Sequence, residues 1–131
     1  MEPALGPEQL DKVDSILRTN LMELGVHCVV LLDMAGNIIA DLDNGKVNFD
    51  VYSLAALAAG NFGAVSTMAQ IIGEEEIFLL FHKGKKENIY FSKVLDDFLL
   101  VTIFGHDLSL GFIRLKVAEA ITEISKIFES L

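Results

Sequence analysis

The chain reads as an α/β (α+β layered) domain of order αββαβββα, a five-stranded antiparallel sheet with two helices on one face and one on the other. Three observations lead there. Two stretches, one at each end, repeat apolar residues every three or four positions, as amphipathic helices do. Several short runs between turn residues are apolar and β-branched, as buried strands are. One stretch of twenty-two residues, Val51 to Ile72, carries no charge at all. With 131 residues and no repeat, linker or low-complexity segment, one domain spanning 1–131 is expected, large enough to bury its own core.

Pro7 and Glu8 suit the first turn of the first helix, and Leu10, Val13, Leu17, Leu21 and Leu24 follow at helical spacing until Gly25 ends the pattern. Val26 to Leu32 is apolar throughout, as expected of a central strand covered on both sides. Asp33-Met34-Ala35-Gly36 is a tight turn into a second strand, Asn37 to Ala40, and Asp41 to Phe49 is a polar connection. Asp50 is the N-cap of the uncharged helix and Gly73 its left-handed end. Three strands then follow: Ile77 to Phe81, Ile89 to Val94 after a tip at His82 to Lys86, and Phe98 to Phe104 after Asp96-Asp97. Ser109 caps a last helix whose stripe runs Leu110, Ile113, Val117, Ile121, Ile124, Phe128, Leu131.

The outer helices have one apolar stripe each and cover one face of the sheet, leaving the other to the middle helix. A core-facing stripe about 100° wide, made of Val51, Leu54, Ala55, Ala58, Phe62, Val65, Ala69 and Ile72, accounts for only part of that helix's surface. At about 1.5 Å per residue it is long enough to cross a bilayer. Gly60, Asn61, Gly63, Ser66, Thr67 and Gln70 make it small and mildly polar rather than greasy, so membrane insertion is not expected.

Composition narrows the function. An apolar fraction of 52% with 22% charged residues belongs to a folded chain, and a net charge of −9 argues against nucleic acid or anionic lipid. Lys83, Lys85 and Lys86 read as a solvated hairpin tip. The single Cys28, in an apolar run, reads as a buried inert thiol, and MEPALGPEQL lacks the pattern of an export signal; no lipidation motif is seen. A reducing, cytoplasmic setting is expected.

No catalytic pattern stands out. Gly84-Lys85 lacks the upstream glycine and following Ser or Thr of a phosphate-binding loop, and no CxxC, HExxH or Asp-rich calcium loop occurs. No cofactor or metal is expected. His27, His82 and His106 are far apart in sequence, and Asp33, Asp41, Asp43, Asp96 and Asp97 suit turns better than acid–base pairs. Arg18 and Arg114, the only arginines, lie beside buried helical stripes, poorly placed to act as arginine fingers.

A domain with two layers of helix has nothing further of its own to cover the back of the middle helix. Flanking its core stripe are Leu57, Asn61, Ala64 and Met68 on one side and Tyr52, Ala59, Gly63 and Ser66 on the other, with Ala56, Gly60 and Thr67 behind. Two mid-helix glycines cost about 1 kcal/mol each against Ala, which makes sense where another backbone approaches closely. Small, uncharged surface of this kind marks an interface with another chain.

The segments SLAALAAGNFGA (53–64), IGEEEIFLLFHKGKKENIYFSKV (72–94), the strand after Asp96-Asp97 and SLGFIRLKV (109–117) resemble the roadblock/dynein light chain family, and within it the bacterial gliding-motility members. The resemblance spans essentially the whole chain. It implies the same roadblock/longin-like layering, and homodimers in which middle helices lie side by side and the following strand, Ile77 to Phe81, pairs with its mate. It also implies binding to a Ras-like small GTPase, with the catalytic groups supplied by the GTPase and no catalytic site in this chain. On that basis Ala56, Ala59, Gly60, Gly63, Ala64 and Thr67 are expected to meet the partner. Leu57, Asn61, Met68, Ile77, Leu79 and Phe81 are expected at the dimer interface. Gliding-motility members can continue into a tail past the last helix, whereas this sequence stops at Leu131. A small-molecule sensor domain is the alternative of a different class, since antiparallel sheets with flanking helices also hold ligands.

Overall fold

The computed structural model describes residues 5–77 and 79–131. Helix α1 (Pro7–Asn20) begins on Gly6, whose N–H donates to Gln9 Oε1 at 3.0 Å. Its Val13 and Leu17, with Leu21 just beyond, are buried, as the spacing required. The last turn tightens into a 3₁₀ turn (Met22–Leu24), and Gly25 stops it at φ +102°, a conformation that glycine alone adopts freely.

Strands β1 (Cys28–Asp33), β2 (Ile38–Asp43), β3 (Leu80–Lys83), β4 (Asn88–Val94) and β5 (Phe98–Phe104) form one antiparallel sheet in the order β2-β1-β5-β4-β3. The continuous apolar runs belong to the two central strands, because side chains alternate across the pleat and both faces are covered. Val29, Leu31, Leu100 and Phe104 pack under α1 and α3 (Leu110–Glu129), while Cys28, Val30, Leu32, Leu99, Val101 and Ile103 pack under α2 (Val51–Ile71). Five strands, with two helices on one face and one on the other, are therefore as expected. Burial, with Asp41 and Asp43 nearby, pushes the Cys28 thiol up to about 12, so it stays protonated and inert.

Several boundaries differ from the sequence reading, most by one or two residues and the end of β2 and the start of β3 by three. Strand β2 runs on to Asp43, through the first part of the expected connection, because Asp41, Leu42 and Asp43 find ladder partners in Val30, Val29 and Cys28. A bulge between Leu31 and Leu32 absorbs the extra residue at the turn. Strand β3 begins at Leu80 rather than Ile77 and extends to Lys83, since among the described residues of this run only Leu80–Lys83 face partners on β4. The apolar character of Ile77 instead reflects partial burial in a cleft that it lines with Phe62. The tip is correspondingly shorter, closed by a bond from Gly84 N–H to the Glu87 carbonyl. Phe78 lies outside the described residues.

The β1–β2 turn is fixed by Asp33, whose Oδ1 accepts from the Ala35 and Asn37 amides and whose Oδ2 accepts from the Asn37 side chain. Partial burial pushes that carboxyl upward, but these bonds, led by the Asn37 side chain, hold it below the usual range. Gly36 is required twice over: it has φ +92°, and a Cβ there would sit 3.1 Å from Ala56 Cα. This close approach seats α2 against the turn.

Candidate functional site

The middle helix is pinned at both ends by its own sequence. Asp50 accepts from the Ser53 hydroxyl at 2.7 Å and the Tyr52 amide at 3.0 Å, bonds that hold its carboxyl below the usual range. At the other end Gly73, at φ +86°, returns its N–H to Gln70, and Glu74 N–H reaches the Ala69 carbonyl at 2.8 Å, the paired bonds of a Schellman motif. Only Ala55, Ala58, Ala59 and Ala69 are buried along its length. By length and composition α2 could cross a membrane, but this alanine row rests on the sheet.

The remaining surface is open and uncharged. Leu57 is 72% exposed and Ile71 79% exposed, and Tyr52 and Met68 are exposed as well. Ile72, which periodicity placed in the core stripe, is 75% exposed because the helix ends at Ile71 and the chain turns at Gly73. Ala56, Gly60, Gly63, Ala64 and Thr67 are also exposed. Ala59, expected in the same group, is only 8% exposed and faces the sheet, so it offers no surface to a partner. Among the described residues nothing lies within 4 Å of the place a Cβ would take at Gly60 or Gly63. Neither glycine is required by the fold of this chain.

Along one flank, Leu57, Asn61, Ala64, Met68 and Ile71 recur at spacings of four and three, the repeat by which two helices pack along a seam. Ile71 belongs to this row by periodicity alone, a signal that the sequence reading leaves out. The flank faces β3: Asn61 Nδ2 lies 3.4 Å from His82 Nε2, and the His82 ring meets Phe91 edge-on at 5.6 Å. Strand β3 is at the edge of the sheet, with β4 as its only ladder partner among the described residues. Leu79 is exposed just before the strand and Ile77 is half-buried. Phe81 points to the other face and stacks on Phe104 at 6.1 Å.

Other candidate groups are scattered. His27 Nδ1 sits 2.9 Å from both oxygens of Glu87, and His106 donates to the Lys85 carbonyl at 2.6 Å. Asp41 and Asp43 share the β2 edge, where burial and then the neighbouring Asp43 push the Asp41 carboxyl upward. Lys83, Lys85 and Lys86 are exposed around the β3–β4 tip. Arg18 and Arg114 are exposed on α1 and α3, across the sheet from α2.

The Roadblock/LC7 domain family matches residues 14–104 of the chain. Among solved structures, Myxococcus xanthus MglB is 34% identical, over 98% of this chain and 96% of that one, with a TM-score of 0.87. The gliding protein MglB of Thermus thermophilus is 25% identical over the full length of both chains, with a TM-score of 0.86. An MglB in a tetrameric arrangement is 25% identical over 99% of this chain and 98% of that one, also at 0.86. No curated protein matches the chain. Agreement of the family match with the five-stranded sheet, its helix layering and near-complete structural coverage leads to one conclusion: the chain belongs to the Roadblock/LC7 domain family.

Proposed function

We propose that this protein is a homodimeric, cytoplasmic, MglB-like regulator of a Ras-like small GTPase, without a catalytic site of its own. One observation carries the reading: the outer face of α2 is free of charge, rich in exposed large apolar side chains, and holds two glycines that its own fold does not need. Exposed apolar surface of this extent is costly in water unless another chain covers it. The seam from Leu57 through Asn61, Ala64 and Met68 to Ile71 meets its copy in the second protomer, and the open edge of β3 continues the sheet through backbone bonds. Ala56, Gly60, Gly63 and Thr67 then remain for the GTPase. The tetrameric arrangement recorded for one MglB supports self-association in this family.

The regulator acts by holding its partner in a hydrolysis-competent conformation. Arginine supply in trans plays no part, in keeping with Arg18 and Arg114 lying on the far layer. Light scattering at micromolar concentration should give a dimer, and a clean monomer would refute that element. Mixing the protein with each Ras-like GTPase of its organism should accelerate phosphate release for one of them. A stable complex without acceleration would reduce the reading to a scaffold, and no complex with any of them would overturn it.

A further inference from the structure

Five cavities lined by the described residues differ in charge. Four have carboxylates in their walls: Glu75 with Glu76, Glu76 alone, Asp33 with Asp97, and Glu87. A fifth, of about 220 Å³, has none, in a chain with 19 acidic residues. It lies between the β3–β4 hairpin and the start of α3, where Lys83 and Asn88 are ladder partners and Asn88 is in turn paired with Phe104. His106 and the cap residue Ser109 complete its polar wall.

Two independent features converge there. The first is the N-terminus of a 20-residue helix, whose dipole and free N–H groups favour an anion. Ser109 Oγ already accepts from the Phe112 amide at 3.1 Å, which leaves the Leu110 and Gly111 amides without that cap. The second is Asn88, only 3% exposed, whose Oδ1 has no hydrogen-bond partner among the described residues. An unpaired buried amide oxygen costs free energy that a ligand recovers. In one orientation the Asn88 amide donates Nδ2–H to an oxyanion, and in the other it accepts from the hydroxyl of a hydrogen phosphate.

We infer that the pocket between Lys83, Asn88 and the N-terminus of α3 binds a small oxyanion of the phosphate class. Lys83 supplies the charge, the first amides of α3 the directed donors, and Asn88 the buried anchor. The site lies on the α1/α3 face of the sheet and is independent of the α2 surface.

The test is an NMR titration of the isotope-labelled full chain with inorganic phosphate, at fixed pH and ionic strength against chloride. Saturable shifts confined to the Asn88 side-chain amide and the Leu110 and Gly111 backbone amides are expected. Removing one charged hydrogen bond in Lys83→Met should weaken binding about tenfold, and Lys83→Glu should abolish it, with the remaining spectrum unchanged in both. A nucleoside monophosphate forms the second arm. Tighter binding than phosphate identifies the ligand as a phosphomonoester, and equal or weaker binding identifies the free ion. Non-saturating shifts, saturation at other residues, or unchanged affinity in Lys83→Glu would overturn the inference.

Discussion

Helices α2 and α3 are nearly equal in length, 21 and 20 residues, yet they solve opposite problems. Helix α3 buries Ile113, Val117, Ala120 and Ile124 and turns Arg114, Glu119 and Glu123 to water. Helix α2 fully buries only alanines, packs Val51, Leu54 and Phe62 partly against the sheet, and leaves Tyr52, Leu57, Met68 and Ile71 outside. Large side chains under α3 let that helix gain much of its stability within the monomer. Alanines under α2 bring that helix close to the sheet but bury little area, so its larger apolar groups are available to another chain.

The largest effect that would test this contrast is on association. A charge left unpaired in a closed interface costs about 3–5 kcal/mol, so Gly63→Arg or Ala64→Arg should abolish dimer or GTPase complex in light scattering and pull-down. The open space around Gly63 predicts an unchanged far-UV spectrum. Ala118→Arg, on the exposed face of α3, should alter neither. Complexes that survive both α2 substitutions would end the distinction between the helices.

Next is stability. Ile124→Ala should lower unfolding free energy by about 2–5 kcal/mol in urea titration, by loss of burial plus a cavity, whereas Ala58→Gly under α2 should cost only about 1 kcal/mol. Both residues are buried, at 0% and 4% exposure. Similar losses at the two sites would contradict the unequal burial argued above.

The caps give a smaller effect with a different pH signature. Ser109→Ala should cost about 1 kcal/mol at any pH, as a hydroxyl cap does not titrate. The Asp50 carboxyl has a folded pKa below its unfolded one, so its contribution is present above the unfolded value and is lost as pH falls through the folded value. The Tm gap between the unaltered chain and Asp50→Ala should therefore close in acid while that of Ser109→Ala persists. Smallest of all is Thr102→Val. The Thr102 hydroxyl is buried on the α1/α3 face without a partner among the described residues, and its removal should raise stability by about 1 kcal/mol in the same urea titration.

Legibility followed the range of the interactions concerned. Both caps of α2, the stop at Gly25 and the turn at Asp33 rest on bonds within a few residues, so local sequence carried them. Strand β5, Phe98–Phe104, was readable to the residue because both of its faces are covered and it is paired on both sides along its length. The start of β3 was not readable, because the apolar run from Ile77 does not say which residues find a ladder partner. Ala59 and Ile72 exchanged roles for a related reason: the helix's close approach to Gly36 at Ala56 and its end before Gly73 set which of them meets the sheet. The pocket at the start of α3 was out of reach, since Lys83, Asn88 and Ser109 meet only through strand pairing and helix docking.

The sequence by itself thus determined the order of elements, their caps, the layering and the absence of charge from α2, all set by periodicity and short-range hydrogen bonding. The tertiary structure alone decided which side of α2 remains open, where the β3 edge begins, and that Lys83, Asn88 and Ser109 line a common cavity without carboxylates. Those depend on the close approach of groups distant in the chain, and local pattern does not encode that geometry.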